Sequence, residues 1–134
     1  IDMLKLAREE MDMVSIGLAF TKEDSLAIVE GARPHIFCYH AGTTKGGLTG
    51  YDNGSTIEET AAESEDVYAA VRKIDPNVIL VGHGAAMETP EDAQYMLDNT
   101  SGHGFWTGSS TERIPIERAV TAAADEFTAL KFSK

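Results

Sequence analysis

Four times along this chain an apolar run of four to seven residues gives way to a helix-start signal, and that alternation narrows the fold more than any other feature. Residues 14–20 alternate large and small side chains and stop at Thr21, which with Asp24 predicts an N-cap for a helix through about Glu30. Gly31 is the expected helix stop, and Pro34 blocks further helix, so residues 35–40 form the next predicted strand. Thr56 caps a predicted helix over 57–74, with Ile57, Ala61, Val67, Ala70, Val71 and Ile74 at helical spacing. Strand 78–81 leads to a helix over 90–97 that opens on Thr89 and Pro90, and strand 104–107 leads to a helix over 112–130. A further helical pattern over residues 1–11 precedes them all. Strands apolar on both faces belong to parallel sheets covered by helices, so the fold class is α/β, built of parallel β-α units. Right-handed crossovers leave two architectures: an open doubly wound sheet, or an arc of about four strands from a (β/α)8 barrel. No linker interrupts residues 1–134, which are expected to form a single unit.

In both architectures ligands gather at the carboxyl ends of the strands, here Phe20, His40, His83 and Thr107 with the loops that follow. Two imidazoles at matching positions on neighbouring strands can hydrogen-bond an oxyanion or pass protons near neutral pH, which makes His40 and His83 the candidate catalytic residues. Gly82 and Gly84 flank His83, and Gly108, Ser109 and Ser110 join the last strand to its helix. Glycines there let backbone approach a ligand, and helix N-termini beyond Gly84 and Gly108 are expected to converge on one anion. The bland alternative for the serines is a capping box between Ser109 and Glu112. The glycine-rich loop 41–55 is long enough for a lid, with Thr43 and Lys45 as residues that reach an anion, although Lys45 also reads as an ordinary solvated lysine. Arg113 is expected to pair with Glu117 four residues on. His35 precedes its strand, and His103 lies in a turn at the opposite rim; neither is assigned a functional part.

These residues also carry a resemblance. His83-Gly84, then Pro90-Glu91-Asp92-Ala93, Gly104-Phe105, and Gly108-Ser109-Ser110 followed by Glu112-Arg113, Pro115, Glu117 and Ala119 resemble the end of the TIM-barrel proteins of the phosphoenolpyruvate hydrolase family. The stretch from His40 to Gly47 resembles the loop after an earlier strand of that family, and the likeness covers nearly the whole chain. The sequence departs from the family pattern at Ala85 and Ala86, where a glycine and a proline usually follow the His-Gly pair. The resemblance implies the C-terminal half of a TIM barrel. It further implies hydrolase or lyase-type chemistry on a small phosphorylated or phosphonylated 2-oxo acid, with this chain supplying the anion-binding rim. It implies Mg²⁺ held through the missing N-terminal half, since no strand here ends in Asp or Glu; the chain itself is expected to provide no metal or cofactor ligand. Similar barrels occur fused in larger proteins, one a plant inhibitor of tobamovirus RNA replication, which implies a second reading as a non-catalytic ligand-sensing or protein-binding module.

Composition excludes several partners. A net charge of −11, from 22 acidic against 11 basic residues, repels nucleic acid and anionic membranes. The one cysteine, Cys38, sits in an apolar run, which predicts a buried structural thiol in a reducing, cytoplasmic setting. No apolar run approaches the ~18 residues of a membrane span, and zinc, Walker, nucleophile-elbow and dinucleotide motifs are absent from the sequence. With 134 residues the chain is shorter than the ~250 of a complete barrel. It also opens inside a helical pattern without a cap, so it is expected to be cut from a longer protein. Four strands leave two open edges, and a homo-oligomer is the expected consequence.

Overall fold

The computed structural model describes residues 1–51 and 54–131; positions 52 and 53 of the glycine-rich loop, and 132–134 of the expected single unit, lie outside them. Among the described residues the order is α1 (Asp2–Glu9), β1 (Ile16–Ala19), α2 (Lys22–Ala32), β2 (Ile36–His40), α3 (Ile57–Ile74), β3 (Ile79–His83), α4 (Pro90–Asn99), β4 (Gly104–Phe105) and α5 (Arg113–Thr128). The strands lie in one parallel sheet in the order β1-β2-β3-β4. This sequential order settles the choice of architecture. A doubly wound sheet reverses direction at a switch point, whereas each strand here is added on the same side, as in half of a TIM barrel.

The helix starts follow the local chemistry. The Thr21 hydroxyl accepts from the Asp24 amide at 3.1 Å, and Thr56 with Glu59 and Thr89 with Asp92 form reciprocal capping boxes. The expected strand over 104–107 shortens to Gly104–Phe105, and two helix-end signals act otherwise than expected. Gly31 does not stop α2, which runs on to Ala32; the stop is Arg33 in a left-handed conformation (φ 47°), followed by Pro34. Gly31 instead makes room for α1, because a β-carbon there would lie 2.9 Å from the Ile1 side chain. Nor do Ser109 and Glu112 form a capping box. Glu112 makes no cap bond, and the Ser109 hydroxyl accepts from Arg113 Nε at 3.3 Å.

Strand alternation divides the sheet into two unlike faces. Ala19, Phe37, Tyr39 and Leu80 point to the helices and are buried with Val29, Val67, Tyr68 and Val71. A smaller cluster of Ala61, Met87 and Met96 extends the core under β4. Ile16, Leu18, Phe20 and Ile79 point to the other face and are 38–60% exposed. That face corresponds to the interior of a barrel. Cys38 is fully buried, and desolvation raises its thiol pKa to about 11, the behaviour of a packing residue. Among the described residues no helix is long and apolar enough to cross a membrane.

Candidate functional site

The parallel register stacks the inner face in levels. Ile16, Ile36 and Ile79 pair at the amino end, then Leu18, Cys38, Val81 and Gly104. Two residues further on, Phe20, His40, His83 and Trp106 reach the carboxyl rim together. His40 pairs with His83 in register, and the Trp106 amide donates to the Gly82 carbonyl at 2.9 Å. The two imidazoles meet edge to face, with centroids 4.6 Å apart and planes at 81°, and Phe20 lies 4.3 Å from His40 on the other side. His83 Nδ1 is 2.7 Å from the Trp106 carbonyl oxygen, and the Gly42 amide donates to His40 Nδ1 at 3.3 Å. Burial first, and the neighbouring His83 second, lower the His40 pKa from its ordinary value.

The loops behind these histidines are tied to one another. The Ala85 amide donates to the Gly42 carbonyl at 2.8 Å, and the Lys45 amide to the Ala85 carbonyl at 3.0 Å. Gly84 has φ +85°, and a β-carbon there would fall 1.9 Å from the Gly42 oxygen and 3.1 Å from His40 Cε1. At Gly108 it would lie 3.2 Å from His83 Cε1. Both glycines therefore make space for an imidazole. Gly82 faces the helices instead, against the Tyr68 hydroxyl and Met87, so its smallness serves packing.

Apart from Thr43, the polar side chains among the remaining candidates bond within the protein. Thr43 is exposed near the rim, while Lys45 Nζ turns back along its own loop to donate to the Ser55 carbonyl at 2.6 Å. The Ser110 hydroxyl donates to the Met87 carbonyl at 3.1 Å. At the start of α4 the Asp92 carboxylate accepts from the amides of Glu88 and Thr89, and the Asp92 amide donates to Thr89 Oγ1, so these donors are taken by the helix's own cap. Arg113 pairs with Glu117 at 3.3 Å as expected, and both hold the glycine-rich loop: Arg113 donates to the Gly46 carbonyl, and Glu117 accepts from the Leu48 amide and the Thr49 hydroxyl. That bracing was not read from the sequence, nor were the Phe20 ring beside His40 and the Trp106 carbonyl beside His83. Strand register would have revealed both neighbours. His103 and His35 accept the Leu80 and Ser15 amides at the far rim.

Compared with known proteins, residues 1–130 match the phosphoenolpyruvate hydrolase-like family. The chain belongs to that family. It is 31% identical over 131 residues to the ToMV susceptible protein tm-1(GCR26) of Solanum lycopersicum, a match covering 97% of this chain and 17% of that protein. Over 125 residues it is 32% identical to the ToMV resistance protein Tm-1(GCR237) of the same plant, covering 92% of this chain and 16% of the relative. The chain thus spans about one sixth of the length of these relatives. Ala85, just after Gly84, holds a left-handed φ of 48°, a conformation that glycine adopts without strain. The magnesium that the family likeness implies does not fit this rim. Mg²⁺ takes oxygen ligands, whereas the strand ends present two imidazoles beside the Phe20 ring, and no cluster of three or more His, Cys, Asp or Glu gathers among the described residues.

Proposed function

We propose that this unit forms the ligand-holding rim of a hydrolase- or lyase-type site for a small phosphorylated or phosphonylated 2-oxo acid. The observation that carries the reading is the meeting of His40 and His83, rings 4.6 Å apart, where two parallel strands end. Paired imidazoles there can hold a carbonyl or carboxylate oxygen and move a proton, the two tasks such chemistry requires. The substrate class comes from the family's description as phosphoenolpyruvate hydrolase-like. Thr43 and the Gly108-Ser109-Ser110 turn are the neighbouring groups for a small anion. Mg²⁺, in this reading, takes its ligands from outside these residues. A single buried thiol and an acidic surface suit a cytoplasmic protein.

The test is turnover of phosphoenolpyruvate and phosphonopyruvate by the intact protein that contains this unit. His83→Gln is expected to lower the rate by about 10²-fold or more with the fold retained. Wild-type turnover in that variant would remove His83 from the chemistry. The tomato relatives, named for susceptibility and resistance to a virus, favour a second reading in which the same rim binds a ligand or protein without turnover. Ligand binding by the intact protein with no product formed would select it.

A further inference from the structure

The two imidazoles are held by partners of opposite sense, and that fixes where each carries its proton. The Trp106 carbonyl can only accept, so His83 Nδ1, 2.7 Å away, is the donor, and neutral His83 keeps its lone pair at Nε2. The Gly42 amide can only donate, so in this 3.3 Å contact His40 Nδ1 accepts, against a weaker main-chain hydrogen bond that favours the protonated ring, and neutral His40 then carries its proton at Nε2. A half-turn of either ring would put carbon where its bonding nitrogen lies and strand the partner. Burial and the neighbouring His83 favour the neutral form of His40.

We propose that His40 and His83 act as an ordered couple, His40 Nε2–H donating and His83 Nε2 accepting, which selects a small ligand with an acceptor oxygen beside an O–H over a fully ionised phosphate. A 2-hydroxy acid, or the hydrate of a 2-oxo acid, has that pattern. The proposal rests on the reading of this rim as a ligand site and refines it: the histidines meet the carboxyl and oxo end of the substrate, and its phosphoryl end lies elsewhere. A phosphate oxygen facing His83 Nε2 would set lone pair against lone pair, whereas an O–H bonds there directly. His83 is then the proton acceptor: the ligand's O–H bond breaks, its electron pair stays on oxygen, and the proton forms the Nε2–H of an imidazolium. His40 N–H donates to the oxygen of the same ligand.

The test is long-range imidazole ¹H–¹⁵N correlation on the ¹⁵N-labelled chain, in solution or by magic-angle spinning if the chain self-associates. His40→Gln and His83→Gln assign the signals by deleting them. The expected pattern is a protonated-type shift at Nε2 and an unprotonated one at Nδ1 for His40, with the reverse for His83. Lactate is expected to move both Nε2 signals at about ten-fold lower concentration than inorganic phosphate. The same tautomer on both rings, phosphate acting at the lower concentration, or no shift with either probe would overturn the proposal. Turnover is a separate readout. The stated tautomers and lactate preference, found in a protein that turns over no phosphorylated 2-oxo acid, would support the couple and sink the hydrolase reading.

Discussion

At Gly84 the chain has no room for a side chain. The position combines a φ of +85°, where a non-glycine residue pays about 1–2 kcal/mol, with a β-carbon position 1.9 Å from the Gly42 oxygen. The obstacle is backbone and cannot swing aside. Gly84→Ala is therefore expected to cost more than the conformational penalty alone and to part the two loops behind the histidines. Thermal unfolding will measure the loss, and a variant as stable as the parent would contradict the loop pairing. His40 carries a pH dependence of definite sign. Its pKa is lowered in the fold from an ordinary 6.5, so between the two values the unfolded chain binds more protons than the folded one. Stability is expected to be full above pH 6.5 and to fall as the pH drops through the window below it. His40→Gln should flatten that slope in denaturant titrations at stepped pH, and an unchanged slope would assign the dependence to other groups.

Elements show how one charged pair organises a loop the sequence leaves undefined. Glu117, on the second turn of α5, accepts from the Leu48 amide and the Thr49 hydroxyl, while Arg113 reaches the Gly46 carbonyl. The Leu48 amide is the chief reason that the Glu117 pKa is lowered. Glu117→Ala is expected to release residues 46–49, speeding amide exchange at Leu48 about ten-fold while leaving the β2 amides protected; unchanged exchange at Leu48 would show that the loop is held by other contacts. The strands and caps were legible in the sequence because their causes are local: Thr21, Thr56 and Thr89 cap as their spacing predicts. The meeting of His40 and His83 was legible too, since equivalent strand ends imply it in any parallel sheet. What was not legible depends on partners distant in sequence. Gly31 serves Ile1 rather than ending a helix, and Ser109 turns to Arg113 rather than to a capping box. At the α4 start, where an anion was expected, the Asp92 carboxylate takes the Thr89 amide as part of the capping box.

Across the whole molecule the two faces of the sheet are unequal. Helices cover one, while Ile16, Leu18, Phe20 and Ile79 leave the other apolar and open. Among the described residues β1 and β4 each pair with one strand only, which leaves an open edge on either side of the sheet. On α5, Ile116, Val120 and Phe127 are 61–74% exposed, and Ile114 is the one buried residue of the helix. A few hundred Å² of such surface at ~25 cal/mol per Å² represents on the order of 5–10 kcal/mol, comparable with the whole stability of a domain this size. The net charge of −11 opposes self-association, but the inner levels from Ile16 to Trp106 include no acidic or basic residue other than the two histidines. Burial should therefore outweigh repulsion once salt shortens the range of the charges to about 10 Å or less. The 134 residues by themselves are expected to associate at micromolar concentration, and to do so more strongly at 0.5 M than at 0.05 M salt. A two-fold copy that pairs its β1 with β4 would close eight parallel strands and bring a second His40 and His83 to the same mouth. Sedimentation velocity across that salt series decides the matter. A compact monomer at every concentration and salt, with no dye-accessible apolar surface, would mean that the open face closes on itself and that the arc does not recruit a partner.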